Sequence, residues 1–286
     1  MPGIMLPRGA QLRLAPGSLG FRMTDDGQVE VDPVSPELRV EMWPHWLHES
    51  VDGAIAVLDV RAAIAAELGA LAGPTPPTDE QGLQDLLDAE LRASMRTISA
   101  AAFAVDAFYA SVQARSPDHP HRETWRTPRA NGRRTSRHTI VFETLRYHLK
   151  VRPAAVPEYR RRISDLFRFR GWAVHADANF RPAVERPDLN RGVDWHYVAF
   201  SADNAVAVVG GTLQMLSALV DVFGRGSEEM RAWQPHAREA LDTVITRYDA
   251  EDRLPRLQWR KDDASGVANQ VSSPSQEDKP PDTTRA

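Results

Sequence analysis

Through most of the chain apolar residues recur every three or four positions, the period of a helix with one buried face. Leu83, Leu87, Leu91, Met95, Ile98, Ala102 and Val105 form one such stripe, and Thr78-x-x-Gln81 ahead of it reads as a capping box. The stripe predicts a helix running to about Gln113, roughly 50 Å long at 1.5 Å per residue. Upstream, Ser35-Pro36-Glu37 has the features of a helix start: a capping hydroxyl, a proline in the first turn and an acid at the positive dipole end. Pro44 is then expected to interrupt or kink that helix before it resumes toward Ala70. The Gly-Pro-Thr-Pro-Pro run at 73–77 separates these two helices, and residues 116–132, rich in Pro, His, Arg and Gly, read as a loop.

A third helix is expected from near Thr135, carrying Ile140, Val141, Leu145 and Leu149. A fourth, from near Pro157 to His175, carries Tyr159, Ile163, Leu166 and Phe167. After an irregular stretch over 179–198, Ser201 can cap a fifth helix that is apolar nearly all round, the pattern of the central helix of a bundle. Gly210-Gly211 within it should permit close helix packing rather than ligand contact. A sixth helix is expected after Pro235, with Leu241, Val244, Ile245 and Tyr248 on its apolar face.

The ends differ from the body. Residues 21–31 alternate apolar and polar around Asp26-Gly27, which predicts a small β-hairpin appendage within 1–34. From Lys261 onward the chain has almost no bulky apolar residues, so 261–286 is expected to be a disordered tail. No strand–helix alternation occurs between them, and 35–255 reads as an all-α bundle of five to six helices. The first residues lack the apolar run of a secretory signal. The most apolar stretch, Ala205 to Phe223, is broken by Thr212, Gln214, Ser217 and Asp221, so no membrane span and a cytoplasmic location are expected.

Charge changes this picture. The 286 residues carry 35 basic and 39 acidic side chains, a net of −4, which argues against a polyanionic partner. Counted by segment, Arg122 to Arg170 holds fourteen basic residues against Glu123, Glu143, Glu158 and Asp165, a local +10 that leaves −14 for the remainder. Such asymmetry points to a polyanion-binding face. Since 32 of the 35 basic residues are arginine, the clustering carries this inference and the arginine identity does not.

Candidate chemistry is sparse. The absence of cysteine excludes disulfides, thiolate metal sites and a cysteine nucleophile. No phosphate-binding glycine loop, Gly-x-Ser-x-Gly or His-Glu-x-x-His is present. His45, His48, Glu49 and Asp52 fall roughly on one helix face beside Trp43 and Trp46, but read better as a polar edge than as a metal site, and no metal or cofactor is expected. His119-Pro-His121 is too short and too loop-bound to count for more.

Four Arg-x4-His pairs occur: Arg133/His138, Arg170/His175, Arg191/His196 and Arg231/His236. Only Arg170/His175 is expected to close a strongly amphipathic helix that is followed by a Pro-containing loop and a buried helix. In that context, Leu166-Phe-Arg-Phe-Arg170-Gly-Trp-Ala-Val-His175 resembles the Arg-x(4–6)-His motif of the HEPN superfamily, with the likeness in helix order covering roughly 80–225. The family's usual polar residue after the arginine is here Gly171. The resemblance implies a homodimeric, metal-independent endoribonuclease of toxin or defence type, cleaving single-stranded RNA in a cleft shared by two copies. Arg170 and His175 would be catalytic, with an antitoxin or other partner protein. Arg168, Arg129, Arg133, Arg134 and Arg137 would hold RNA phosphates electrostatically, and Trp125 and Trp172 could stack on unpaired bases. A histidine near its ordinary pKa of about 6.5 can move protons at neutral pH, and an always-charged guanidinium suits the phosphorane. The other reading is a catalytically silent HEPN-like bundle used for dimerisation or partner binding.

Overall fold

The computed structural model describes residues 4–5, 10–14, 20–31, 36–72, 81–128, 132, 134–175 and 181–258. The long helices follow the apolar periodicity. Helix α1 (Trp43–Leu71) buries Trp43, Leu47, Val51, Ala54, Val57 and Ile64, and α2 (Gln81–Ala114) buries a stripe from Leu83 to Val112. The two lie against each other along much of their length. Gly53 marks a close approach: a Cβ there would fall 2.4 Å from Thr97 Oγ1, on a side chain that is itself fully buried.

Beyond α2 come a short helix α3 (Arg122–Arg126), then α4 (Arg137–His148) and α5 (Val156–Val174). Next are a hairpin of β6 (Val184–Arg186) and β7 (Arg191–Val193), α6 (Trp195–Ala199), α7 (Ala202–Asp221) and α8 (Glu228–Asp249). The expected six long helices are therefore present, and two five-residue helices bring the total among the described residues to eight. One of these, α3, lies inside the segment expected to be loop, and the expected irregular stretch holds β6, β7 and α6. The β6–β7 turn is built on Pro187 and on Asn190 at φ +49°, a left-handed position that asparagine tolerates.

Helix α7 is the centre, packed on α1, α2, α5 and α8. Its length and hydropathy would let it cross a membrane, yet eleven of its twenty residues are buried in the bundle. Ser201 caps it as expected. The glycine pair admits polar side chains from neighbouring helices: Tyr248 Oη lies 3.2 Å from where a Gly210 Cβ would sit, and Arg162 Nη1 donates to Gly211 O at 3.1 Å.

The N-terminal part is β-structure and extends to Val40. Strands β1 (Ile4–Met5), β2 (Ala10–Leu14) and β5 (Pro36–Val40) form an antiparallel sheet in the order β1-β2-β5. The segment between β2 and β5 carries the expected hairpin, β3 (Phe21–Met23) with β4 (Val29–Val31), and its turn places Gly27 at φ +79°. Glu41, directly after β5, is buried against Arg115 and accepts from the Ser111 hydroxyl, which fastens the sheet to the far end of α2.

Three prolines depart from the expectation. Pro36 opens a strand instead of a helix, where its missing N–H disturbs no central ladder, and β2 supplies the pairing that the local pattern could not reveal. Pro44 starts α1 instead of kinking it, because a first-turn N–H has no intrahelical acceptor to lose. Pro235 lies inside α8, which begins earlier, where the Ser227 hydroxyl accepts from Met230 N at 3.1 Å and Glu228 and Glu229 occupy the first turn. Ser35, the 73–77 linker, Thr78 and the expected tail at 261–286 lie outside the described residues.

Helix propensity and packing oppose each other at Gly53 and agree at exposed Gly69, where nothing lies within 4 Å of an added Cβ. Gly69→Ala should stabilise the protein by about 0.5–1 kcal/mol, whereas Gly53→Ala should destabilise it by about 1–3 kcal/mol, as read by urea unfolding. Equal stabilisation by both substitutions would contradict the packing described for α1 and α2.

Candidate functional site

Helices α4 and α5 form an antiparallel hairpin whose level is set by Glu143, which accepts from Arg146 at 2.7 Å and from Arg160 at 3.0 Å. The start of α4, with Arg134 and Arg137, therefore shares one end of the hairpin with Arg168, Arg170 and His175. At that end the side chains do different things. Arg134 is exposed and has no ion-pair partner among the described residues. Arg137 is held by Asp106 at 2.6 Å and lies over the Tyr109 ring. Arg168 pairs with Asp165 at 3.0 Å and sits 5.2 Å from the Trp172 ring. Arg129 and Arg133 lie outside the described residues.

Most of the +10 segment is neutralised in the same way. Arg122 pairs with Asp118, Arg126 with Glu123, Arg161 with Asp165, and Arg162 with Glu158. Arg170 does not. Its guanidinium carbon stands 5.0 Å from the Phe103 ring of α2, it has no carboxylate partner among the described residues, and its Nε is buried without an acceptor. His175 is exposed at the C-cap of α5, its backbone N–H donating to Gly171 O at 2.9 Å. Five residues turn a helix through about 140°, so the two side chains leave α5 in different directions, and no contact joins them among the described residues.

Trp172 points instead toward α6. Its ring meets Trp195 edge-on at 5.3 Å, Trp195 lies 3.9 Å from the ring of His196, and Arg181 covers Trp195 at 4.9 Å. The Asp194 carboxylate accepts from His196 N at 2.9 Å, capping α6, and bonds His196 Nδ1 at 2.6 Å. Burial raises the Asp194 pKa, but the hydrogen bonds from His196 and the charge of Arg181 outweigh it and hold the carboxyl below its usual range. This pair sits in the Arg191/His196 segment, which the sequence placed in irregular chain. Arg191 and Asp194 line a cavity of about 450 Å³, with Gln84, Leu87 and Tyr197.

A buried ion pair fixes that whole edge. Glu90, in the first third of α2, is bound through both oxygens by Arg186 of β6, at 2.6 and 3.0 Å. Arg186 also binds Asp188 through Nε and Nη2 and donates to Tyr197 O, while Glu90 Oε1 accepts from Ala202 N at the start of α7.

A second cluster lies where the segment between α2 and α4 meets the end of α4. His119 stacks on Trp125 at 4.4 Å and meets Tyr147 at 4.6 Å and His148 at 5.9 Å, all edge-on except Trp125. His119 Nδ1 accepts from His121 N at 3.0 Å, so the neutral ring carries its proton on Nε2. Both His119 and His148 are 8 % exposed and each has a buried Nε2 without a partner. Desolvation, and in turn the neighbouring histidines, push both pKa values down. Sequence reasoning set His119 aside; the signal that it is built in was Tyr147-His148 at a helix end, which only the fold brings to it. The stack also occupies a face of Trp125, one of the two tryptophans expected to be open to bases.

At α1, His45 and Glu49 are exposed, His48 is half-buried, and Asp52 pairs with Arg247 at 3.1 Å. No three metal-ligating side chains converge among the described residues. Compared with family models, curated proteins and solved structures, the chain matches none.

Removing one member of the Glu90–Arg186 pair strands a buried charge. Arg186→Ala should lower unfolding free energy by about 3–5 kcal/mol in urea, and Arg186→Met with Glu90→Leu should recover most of that loss. A single substitution that left the urea midpoint unmoved would show the pair to be dispensable. For His119 and His148 the folded pKa lies below the unfolded one, so the unfolded chain takes up protons first. Stability should therefore be full above about pH 6.5 and fall as the pH drops through and below that value. The slope should flatten in His119→Phe and His148→Phe, as read by urea midpoints from pH 7.5 downward.

Proposed function

We propose that the chain is a HEPN-like helical protein that acts as a homodimer on single-stranded RNA, as a metal-independent endoribonuclease using Arg170 and His175. The observation that carries this reading is the state of Arg170. Arg160, Arg161, Arg162 and Arg168 on the same helix each engage a carboxylate, whereas Arg170 has none among the described residues. A half-buried guanidinium without a counter-charge favours an anion, and a phosphate presents oxygens that match its fork.

The chemistry follows from these two side chains. His175, exposed at the helix end, takes the 2′-hydroxyl proton or protonates the leaving 5′-oxygen, while Arg170 stabilises charge on the phosphorane. Since the two diverge on α5, the reading requires one cleft built from two copies, as the resemblance implies. Trp172 and Trp195, flanked by Arg168 and Arg181, offer aromatic edges and cations to unpaired bases, and Arg134 adds an open charge at the same end of the α4–α5 hairpin. A second reading, a non-catalytic bundle for dimerisation or partner binding, is favoured by the same residue's contact with Phe103 and by its buried Nε, which together fit a structural cation–π role.

Labelled single-stranded RNA incubated with the purified protein in EDTA separates the two. Cleavage is expected, with Arg170→Ala and His175→Ala each lowering the rate by about 100-fold or more at unchanged helical content. If the wild-type protein leaves RNA intact, or both variants cleave normally, the catalytic reading fails.

A further inference from the structure

Among the described residues, exposed apolar side chains are concentrated in the N-terminal β region. Of the eleven large hydrophobic side chains exposed among the described residues, eight lie between Leu14 and Met42, and the other three, Tyr147, Val174 and Val184, are scattered over the helical body. The register sorts seven of the eight by face, Met42 lying beyond β5. In the β3–β4 hairpin, Phe21 is opposite Val31 and Met23 opposite Val29, so all four project from one side, with exposures from 55 to 74 %, while Arg22 and Glu30 take the other. In the β2–β5 pair, Leu12 faces Leu38 and Leu14 faces Pro36, with Val40 on the same side; Gln11, Arg39, Arg13 and Glu37 lie on the opposite one. That polar side is turned toward the bundle, since Gln11 accepts from Arg115. The apolar side thus faces away from the protein's own core.

We propose that this β region is a homodimer interface, in which its apolar faces pack against those of a second copy. The eight side chains expose on the order of 900 Å² together, close to the roughly 800 Å² that each partner contributes to a standard stable interface. Among the described residues these faces carry no charged side chain that would select a charged peptide or a nucleic acid. An aliphatic surface of this kind is complementary to itself, and two such sheets related by a two-fold axis stack face to face with their polar sides outward. This proposal does not depend on the ribonuclease reading: the dimer holds if cleavage is never seen, and Arg170→Ala leaves it intact.

Sedimentation equilibrium of the full chain tests the proposal. A dimer is expected at about 10 µM, with Leu38→Ser and Phe21→Ser each raising the dissociation constant at least about ten-fold. Glu30→Gln, on the polar side, should change nothing, and circular dichroism should show the same helical content in all variants. A wild-type chain that stays monomeric at about 100 µM overturns the proposal, as does a dimer unaffected by either serine substitution. So does a monomer that instead floats with neutral phosphatidylcholine vesicles, since the occupant of the face would then be lipid.

Discussion

The Glu90–Arg186 pair is the constraint around which one edge of the protein is arranged. A carboxylate inside a long helix, 1 % exposed, is tolerated only if its charge is met and its lone pairs are used. Arg186 meets the charge with two parallel hydrogen bonds. Its remaining donors then dictate what surrounds it: Asp188 in the turn of the β6–β7 hairpin and the carbonyl of Tyr197 in α6. Glu90 in turn takes the first free N–H of α7, a donor that a buried helix start would otherwise leave without an acceptor. Four elements are fixed by one ion pair. Because α6 is among them, so are Trp195, the Asp194–His196 pair and the wall of the neighbouring cavity.

A second buried pair, Arg115 with Glu41, plays the corresponding part at the other end of α2. It joins the β region to the bundle through a charge, a hydroxyl and a ring, since Arg115 also lies 4.1 Å over Trp233. The join is narrow and polar, and that is why the sheet's apolar residues are not drawn into the core. The bundle is already closed at this end by Trp43, Phe108, Phe223 and Trp233, whose rings contact one another.

What could be read from the sequence divides along the same physical lines. The stripes of α2 and α5, and the all-round apolar α7, were legible because their burial repeats with the helix period. The hairpin at 21–31 was legible because its turn residues are local. The strand at Pro36–Val40 was not, since its pairing partner lies some 25 residues earlier in the chain and Ser-Pro-Glu imitates a helix start. Glu90 and Arg186 were invisible for a like reason: each looks like an ordinary surface charge until the fold places them together, 96 positions apart. The prolines misled in both directions, because the consequence of a missing N–H depends on where the first turn begins, and capping at Ser227 had moved that point upstream of Pro235.

The net charge of a segment does not by itself set the potential at its surface. A segment at +10 suggests a field, but a field depends on which charges remain uncompensated at short range. Eight of the arginines in that segment are engaged by carboxylates in the folded chain, two of them, Arg122 and Arg137, by acids that precede the segment. The residual positive character is thereby narrowed to a few positions, Arg134 and Arg170 among them. This narrowing strengthens the case for Arg170 as an anion contact, since among the described residues it is the one arginine of its helix without a carboxylate partner. It also weakens the expectation of a broad phosphate-tracking surface, because an arginine already held by an acid must break that contact before it can bind RNA. Any RNA held here is therefore bound at a few discrete points near the end of α5, where aromatic rings lie beside the unpaired charge, and its affinity should depend on salt less steeply than fourteen free cations would require.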